Sequence, residues 1–214
     1  MNTLDPASTP ESIEARSFAI IDAEIPEPRP FHGPAWQVAR RLIHTTGDPG
    51  ILPDLRLSND AVTAGTTALR RGCTVFTDTE MARCGMAPRR LDPLGVRVES
   101  LMALPGVAER AGNSGITRAR AGILSIAPRL SGSIVAIGNA PTALLALLEL
   151  LDAGTPPPTL IIGMPVGFVN AAESKELLHA RSYPHLTLLG RKGGSPLVAA
   201  AVNALAVLAE QRGA

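Results

Sequence analysis

The sequence has few aromatic residues, almost no lysine and only two cysteines. Four Phe, one Trp and one Tyr make up 3% of its 214 residues. A stacking platform for single-stranded nucleic acid needs more rings than that. Charge of either sign is also scarce in excess: the formal net charge is +1. A general nucleic-acid binder carries a basic surplus, so no nucleic-acid partner is expected. Cys73 and Cys84 stand eleven residues apart. That is neither a disulfide framework nor a metal motif, and reduced thiols in a cytoplasmic protein are the expectation. No His, Cys and acid cluster has ligand spacing, so no metal site is expected. Long apolar runs are missing too. The stretch 134–151 is broken by Asn139, Pro141 and Glu149, and 196–209 is short and holds Asn203. A membrane span needs roughly twenty apolar residues, so both read as buried elements and no membrane partner is expected. Met1 to Glu14 carries Asp5, Glu11 and Glu14 but no basic residue and no apolar run. It has the pattern of neither a signal peptide nor a mitochondrial presequence. Of 20 basic residues, all but Lys175 and Lys192 are arginine. Genome composition alone can cause that bias, but arginine also forks onto carboxylates as lysine cannot.

What is present is a foldable chain. Hydrophobic residues make up 45%, which argues against disorder and for one domain with a sizeable core. Residues 1–11 read as a tail and 12–212 as the domain. Thr9-Pro10-Glu11 is a helix start, a capping hydroxyl followed by Pro at the first helical position. That helix should reach about Glu24, with Ile13, Ser17, Ile20 and Ile21 as its buried stripe. Pro26, Pro28 and Pro30 form an extended linker. A second helix should span about Pro34 to Thr45, with Val38, Ala39, Leu42 and Ile43 inward and a stop at Gly47–Gly50. His44 then lies in its last turn. Ser58 or Asn59 should cap a third helix running to about Arg71. Strands are expected at 73–77 and near 96–101, a short helix after Asp78, and a longer one over about 117–130. From 134 onward the pattern repeats three times: strand, glycine-containing loop, helix. Such units predict an α/β domain, a mostly parallel sheet with helices on both faces. Ligands in such sheets bind at the carboxyl ends of the strands. Those ends carry Thr77-Asp78, Gly138-Asn139, Gly163–Gly167 and Gly190–Ser195, so the glycine loops should converge. None is a Walker loop, a dinucleotide fingerprint or a nucleophile elbow. Taken alone, these residues lead to a ligand-binding α/β domain and no further.

Seven strings go further: Arg16–Ile21, Leu42–His44, Thr77–Met81, Ala136–Ala143, Gly163–Val169, Ala172–Lys175 and Gly190–Ser195. Together they resemble the precorrin-8X methylmutase family, from about residue 12 to the last helix. Pro26–Pro30 and residues 86–115 carry little of the resemblance. The family implies an isomerase of corrin biosynthesis acting on precorrin-8X or its cobalt form. A methyl group moves from C-11 to C-12 of ring C in a suprafacial 1,5-sigmatropic shift, giving hydrogenobyrinate or cobyrinate. The resemblance implies no cofactor, a tetrapyrrole substrate and a homodimer. Protonating a ring C nitrogen draws electrons from the macrocycle and eases migration, work suited to histidine. His44 matches the family's catalytic histidine. The partial negative charge of a helix end suits a proton-donating imidazole there. The substrate's acetates and propionates call for arginine forks and loop amides. Arg16, Ser17 and Arg118 match positions near the tetrapyrrole, although Arg120 competes with Arg118 for the inward place. Thr77 and Asp78 either bind ligand or cap the next helix. Met164, Pro165, Val166, Gly167, Phe168 and Val169 suit an apolar wall, and Arg191 and Lys192 a carboxylate clamp. Cys84, His32, His179 and His185 are assigned no role. The alternative is a corrinoid carrier without catalysis, which would have no need of His44.

Overall fold

The structure, a computed structural model, describes residues 9–211. Of the expected tail, residues 1–8 lie outside the described residues, as does position 212 at the expected domain end. From Pro10 the chain is helical. The elements, in order, are α1 Pro10–Glu24, α2 Gly33–Thr46, β1 Leu55–Leu57, α3 Ala61–Arg70, β2 Thr74–Thr77, α4 Glu80–Gly85 and α5 Pro88–Leu91. There follow β3 Arg97–Ser100, α6 Val107–Ser114, α7 Arg118–Ile126, β4 Ile134–Ile137, α8 Pro141–Asp152, β5 Leu160–Gly163, α9 Ala171–His179, β6 His185–Leu188 and α10 Ser195–Glu210.

The six strands form one sheet in the order β1-β6-β5-β4-β2-β3. The β2 to β6 pairings are parallel, while β1 joins the edge antiparallel, Leu55 opposite Leu188. Alternation along the central strands sends successive side chains to opposite faces. Val75, Ile134, Ala136, Leu160 and Ile162 meet α2, α3 and α10 on one face. Phe76, Val135, Ile137 and Ile161 meet α7, α8 and α9 on the other. The α/β sandwich is therefore the expected one. The short β1, α5 and α6 are additions that no periodicity announces.

Two local expectations change. The apolar stripe of α1 is rotated: of Ile13, Ser17, Ile20 and Ile21 only Ile21 is buried, and Ile13 and Ile20 are 56% and 49% exposed. The helix packs instead through Glu14, Phe18, Ile21 and Asp22, and polar contacts decide its face. Asp22 accepts from Trp36 Nε1 at 2.8 Å and Arg40 Nη1 at 2.5 Å, and Glu14 accepts from Arg41 at 2.6 Å. The guanidinium groups of Arg40 and Arg41 lie over the Phe18 ring at 4.4 and 4.7 Å. The proline linker is likewise pinned, because Arg29 donates to Ile25 O at 2.6 Å and Asp22 O at 3.0 Å. Helix α3 begins after Asp60, which occupies the cap position, rather than after Ser58 or Asn59. Ser58 Oγ donates to the Asp60 carboxylate at 2.7 Å.

Candidate functional site

The carboxyl ends of β2, β4, β5 and β6 lie side by side, and their loops are knitted into one deck. Asp78 follows β2 and does not cap the next helix; Thr79 does, through its Oγ1. The Asp78 carboxylate crosses to the loop after β4, accepting from Gly138 N at 3.0 Å and from Asn139 N and Ala140 N at 2.7 Å each. Burial pushes this carboxyl above its usual range, and the three amides pull it back in part. Asp78 thereby spans the crevice between β2 and β4, where strand order reverses and a ligand is normally sought. The loop after β6 closes on the loop after β5: Gly194 N donates to Met164 O at 2.9 Å and Gly167 N to Arg191 O at 3.1 Å. A Cβ on Gly193 would run into Met164 O, and one on Gly138 would stand 2.8 Å from the Gly194–Ser195 backbone. Only glycine permits that approach. Beneath the deck, the enclosed Lys175 donates through Nζ to Lys192 O at 2.7 Å.

Thr77, Asp78 and Met164 are enclosed within the deck, so in the single chain they shape loops rather than face solvent. Val166, Phe168 and Val169 form an exposed apolar rim with Gly167 among them. The Arg191 guanidinium lies 5.2 Å from the Phe168 ring centre. Lys192 Nζ reaches Asp48 Oδ2 at 2.6 Å, tying the deck to the turn just beyond α2.

His44 stands in that last turn of α2, half-buried. Ser17 Oγ, from α1, lies 2.7 Å from His44 Nδ1. Phe18 meets the imidazole edge-on at 5.5 Å. With Nδ1 engaged, Nε2 is the ring nitrogen left for a ligand. When the ring carries both protons, Ser17 accepts from Nδ1 and Nε2 keeps a proton to give. His44 borders a cavity of about 490 Å³ between α1, α2, α4, α5 and α10. Its floor is Ala199 and Ala200, and Pro196 joins it to the deck. Arg41, Arg89 and Arg90 face a single acid there, Glu14. Glu14 is held below the usual carboxylate range chiefly by its hydrogen bond from Arg41, with His44 and Arg90 adding to the effect.

The sequence-predicted residues thus separate into places. His44 and Ser17 meet, and the exposed Arg16 adjoins Ser17 on α1. The deck gathers Thr77, Asp78, Met164, Val166, Gly167, Arg191 and Lys192. Arg118 is exposed on α7, at the other face of the sheet, and does not line the His44 cavity. Its rival Arg120 is committed to Glu149 through two bonds, at 3.1 and 2.5 Å. Sequence reasoning missed Arg41, Arg89 and Arg90. The signal for the last two was Pro88-Arg89-Arg90 itself, a helix start carrying two adjacent cations, in a stretch set aside for its weak resemblance. Among the described residues, no group of His, Cys, Asp and Glu could hold a metal ion, and no helix is long and apolar enough to cross a membrane.

Comparison with known proteins identifies the family of the chain. The family model described as CbiC, precorrin-8X methylmutase, matches residues 12–208. A precorrin-8X methylmutase of Pseudomonas aeruginosa is 44% identical over 92% of this chain and 94% of its own. A cobalt-precorrin-8 methylmutase of Salmonella typhimurium is 42% identical over 92% of this chain and 94% of its own. The crystal structure of a precorrin-8X methylmutase from Thermus thermophilus superposes with a TM-score of 0.87 at 43% identity, covering 93% of this chain and 96% of that one. The α/β sheet, the seven strings and the family model agree along nearly the whole sequence: the chain belongs to the precorrin-8X methylmutase family.

Proposed function

We propose that this protein is an isomerase of corrin biosynthesis that moves the C-11 methyl group of precorrin-8X, or of its cobalt form, to C-12. The observation that carries the reading is the Ser17-anchored imidazole of His44 on the wall of a basic cavity. His44 Nε2 lends a proton to a ring C nitrogen, which makes the conjugated system a better acceptor for the migrating methyl. The C-11 to methyl bond breaks as the C-12 to methyl bond forms on the same face. The proton then returns, so substrate and product have the same composition and no methyl donor or redox partner takes part. Ser17 is a positioning residue that holds the ring plane. Arginines of the cavity balance the peripheral carboxylates. Arg16 on α1, and the Val166 rim and Arg191 at the deck, offer further contacts. Relatives bear both the precorrin-8X and the cobalt-precorrin-8 names at similar identity; a cobalt ion would arrive as part of the substrate.

The working unit is a homodimer in the cytoplasm. The exposed apolar residues of α1 (Ile13, Ile20) and of the deck rim (Phe168, Val169) support the dimer. So does the position of Arg118, which lies outside the His44 cavity of its own chain. The test is His44→Ala incubated with precorrin-8X and followed by its absorption spectrum, since conjugation changes on migration. Wild type should develop the product spectrum; the variant should bind pigment without that change. Near-normal turnover by the variant would remove His44 from the mechanism. A wild-type spectrum that never evolves would favour a carrier.

A further inference from the structure

Three arginines line the His44 cavity, and they are bound differently. Arg41 is held by Glu14 at 2.6 Å. Arg90 reaches Glu210 at 3.3 Å. Arg89 is exposed and makes no ion pair among the described residues. The turn that carries it is nonetheless firmly built. Helix α5 is a single turn begun by Pro88, too short to hold its own shape. Asn203, a polar residue amid the apolar middle of α10, staples it from below. Its Oδ1 accepts from Ala87 N and its Nδ2 donates to Gly85 O, both at 2.9 Å. Met86 and Leu91, on either side, are buried. A Cβ on Gly85 would stand 2.9 Å from Ala199 Cβ, so this backbone rests directly on the cavity floor. An unpaired guanidinium on a fixed backbone, at the edge of a cavity whose one acid is already taken, lacks only an anion.

We infer that Arg89 is a substrate-recognition residue of the His44 cavity, forking onto one peripheral carboxylate of the tetrapyrrole while His44 addresses ring C. Arg90 supports it by charge, and Asn203 acts through both as a positioning residue. A planar fork matches a carboxylate through two parallel bonds, a match that lysine's point charge does not reproduce. The inference rests on the methylmutase reading, and the experiment separates the two.

Hydrogenobyrinate is titrated into wild type, Arg89→Gln, Arg89→Lys and the control Arg97→Gln. The control removes one exposed arginine of β3 that does not line the His44 cavity. Arg89→Gln should weaken binding about tenfold or more, the size of a lost charge-assisted contact. Arg89→Lys should recover only part of that loss, and Arg97→Gln should bind as wild type does. In turnover, Arg89→Gln should raise KM far more than it lowers kcat, a split that a loosened fold would not give. Equal affinity of wild type and Arg89→Gln would overturn the inference and leave the methylmutase reading standing. Equal weakening by Arg89→Gln and Arg97→Gln would also overturn it, showing only an effect of net charge. A wild-type protein that binds no hydrogenobyrinate would overturn the methylmutase reading itself.

Discussion

Ser17 and His44 come from different helices and meet at 2.7 Å. A hydroxyl at that distance fixes both the plane of the imidazole and the nitrogen it offers. The ring has few other restraints, since Phe18 touches it edge-on and the cavity leaves its outer side open. Ser17→Ala should therefore lower kcat about tenfold, the order expected of a misplaced reacting group, with a smaller change in KM. Steady-state kinetics on precorrin-8X read this directly. A fall in affinity with unchanged kcat would assign the hydroxyl to the substrate instead. Asp78 shows the same lesson from the other side. At a strand end it resembles a ligand contact, yet it spends both oxygens on three loop amides.

Between elements, polar contacts decide what apolar periodicity leaves open. Helix α1 has apolar residues on more than one side. The face it buries is chosen by Asp22 and Glu14, which meet Trp36, Arg40 and Arg41 of α2. Those contacts carry Ser17 to His44. Asp22→Ala leaves Trp36 Nε1 and the Arg40 guanidinium short of an acceptor, removes the 3.4 Å ion pair to Arg29, and should cost roughly 2 kcal/mol in a urea melt. Because α1 then loses its seat, kcat should fall as well, although Asp22 lies away from the cavity. Stability loss with unchanged kcat would show that Phe18, Ile21 and the Glu14–Arg41 pair suffice to hold α1 in place. The glycine loops obey the same rule. Their value lies in letting Gly138 and Gly193 approach neighbouring backbone, which turns four strand ends into a single rigid deck.

Across the whole molecule, a lysine pair ties the deck to the turn beyond α2. Lys192 reaches Asp48 beyond α2, while its carbonyl takes the ammonium of Lys175. Burial lowers the pKa of Lys175 to about 8 from its ordinary 10.5, and Asp54 opposes the shift. Between those two pH values the unfolded chain keeps a proton that the folded chain has lost. Lys175 therefore makes stability rise with pH across that window, and its contribution is level below it, where both forms are charged. The unfolding free energy of wild type relative to Lys175→Met should increase from about pH 8 to pH 10 and stay constant from about pH 6 to pH 7.5. Urea melts at each pH measure it. A flat difference throughout would mean that the buried ammonium keeps its proton.

The division between what was legible and what was not follows sequence separation. Strands such as Ile134–Ile137 and helices such as α2 and α8 could be read directly, because apolar periodicity, Gly47 and Pro141 are signals within a few neighbouring residues. The seven strings identified the family, and Leu42–His44 pointed to the histidine proposed as the proton donor, for the same reason: each is contiguous. Contacts between distant residues left no such trace. The rotated face of α1, the antiparallel edge strand β1, the Asp78 bonds to 138–140 and the staple from Asn203 to Gly85 each join residues brought together only by packing. So does the placing of Arg89 and Arg90 beside His44. Composition and periodicity set which segments become buried elements; the tertiary structure chose which polar side chains meet, because a hydrogen bond or ion pair depends on distances of a few ångströms between parts of the chain far apart in sequence.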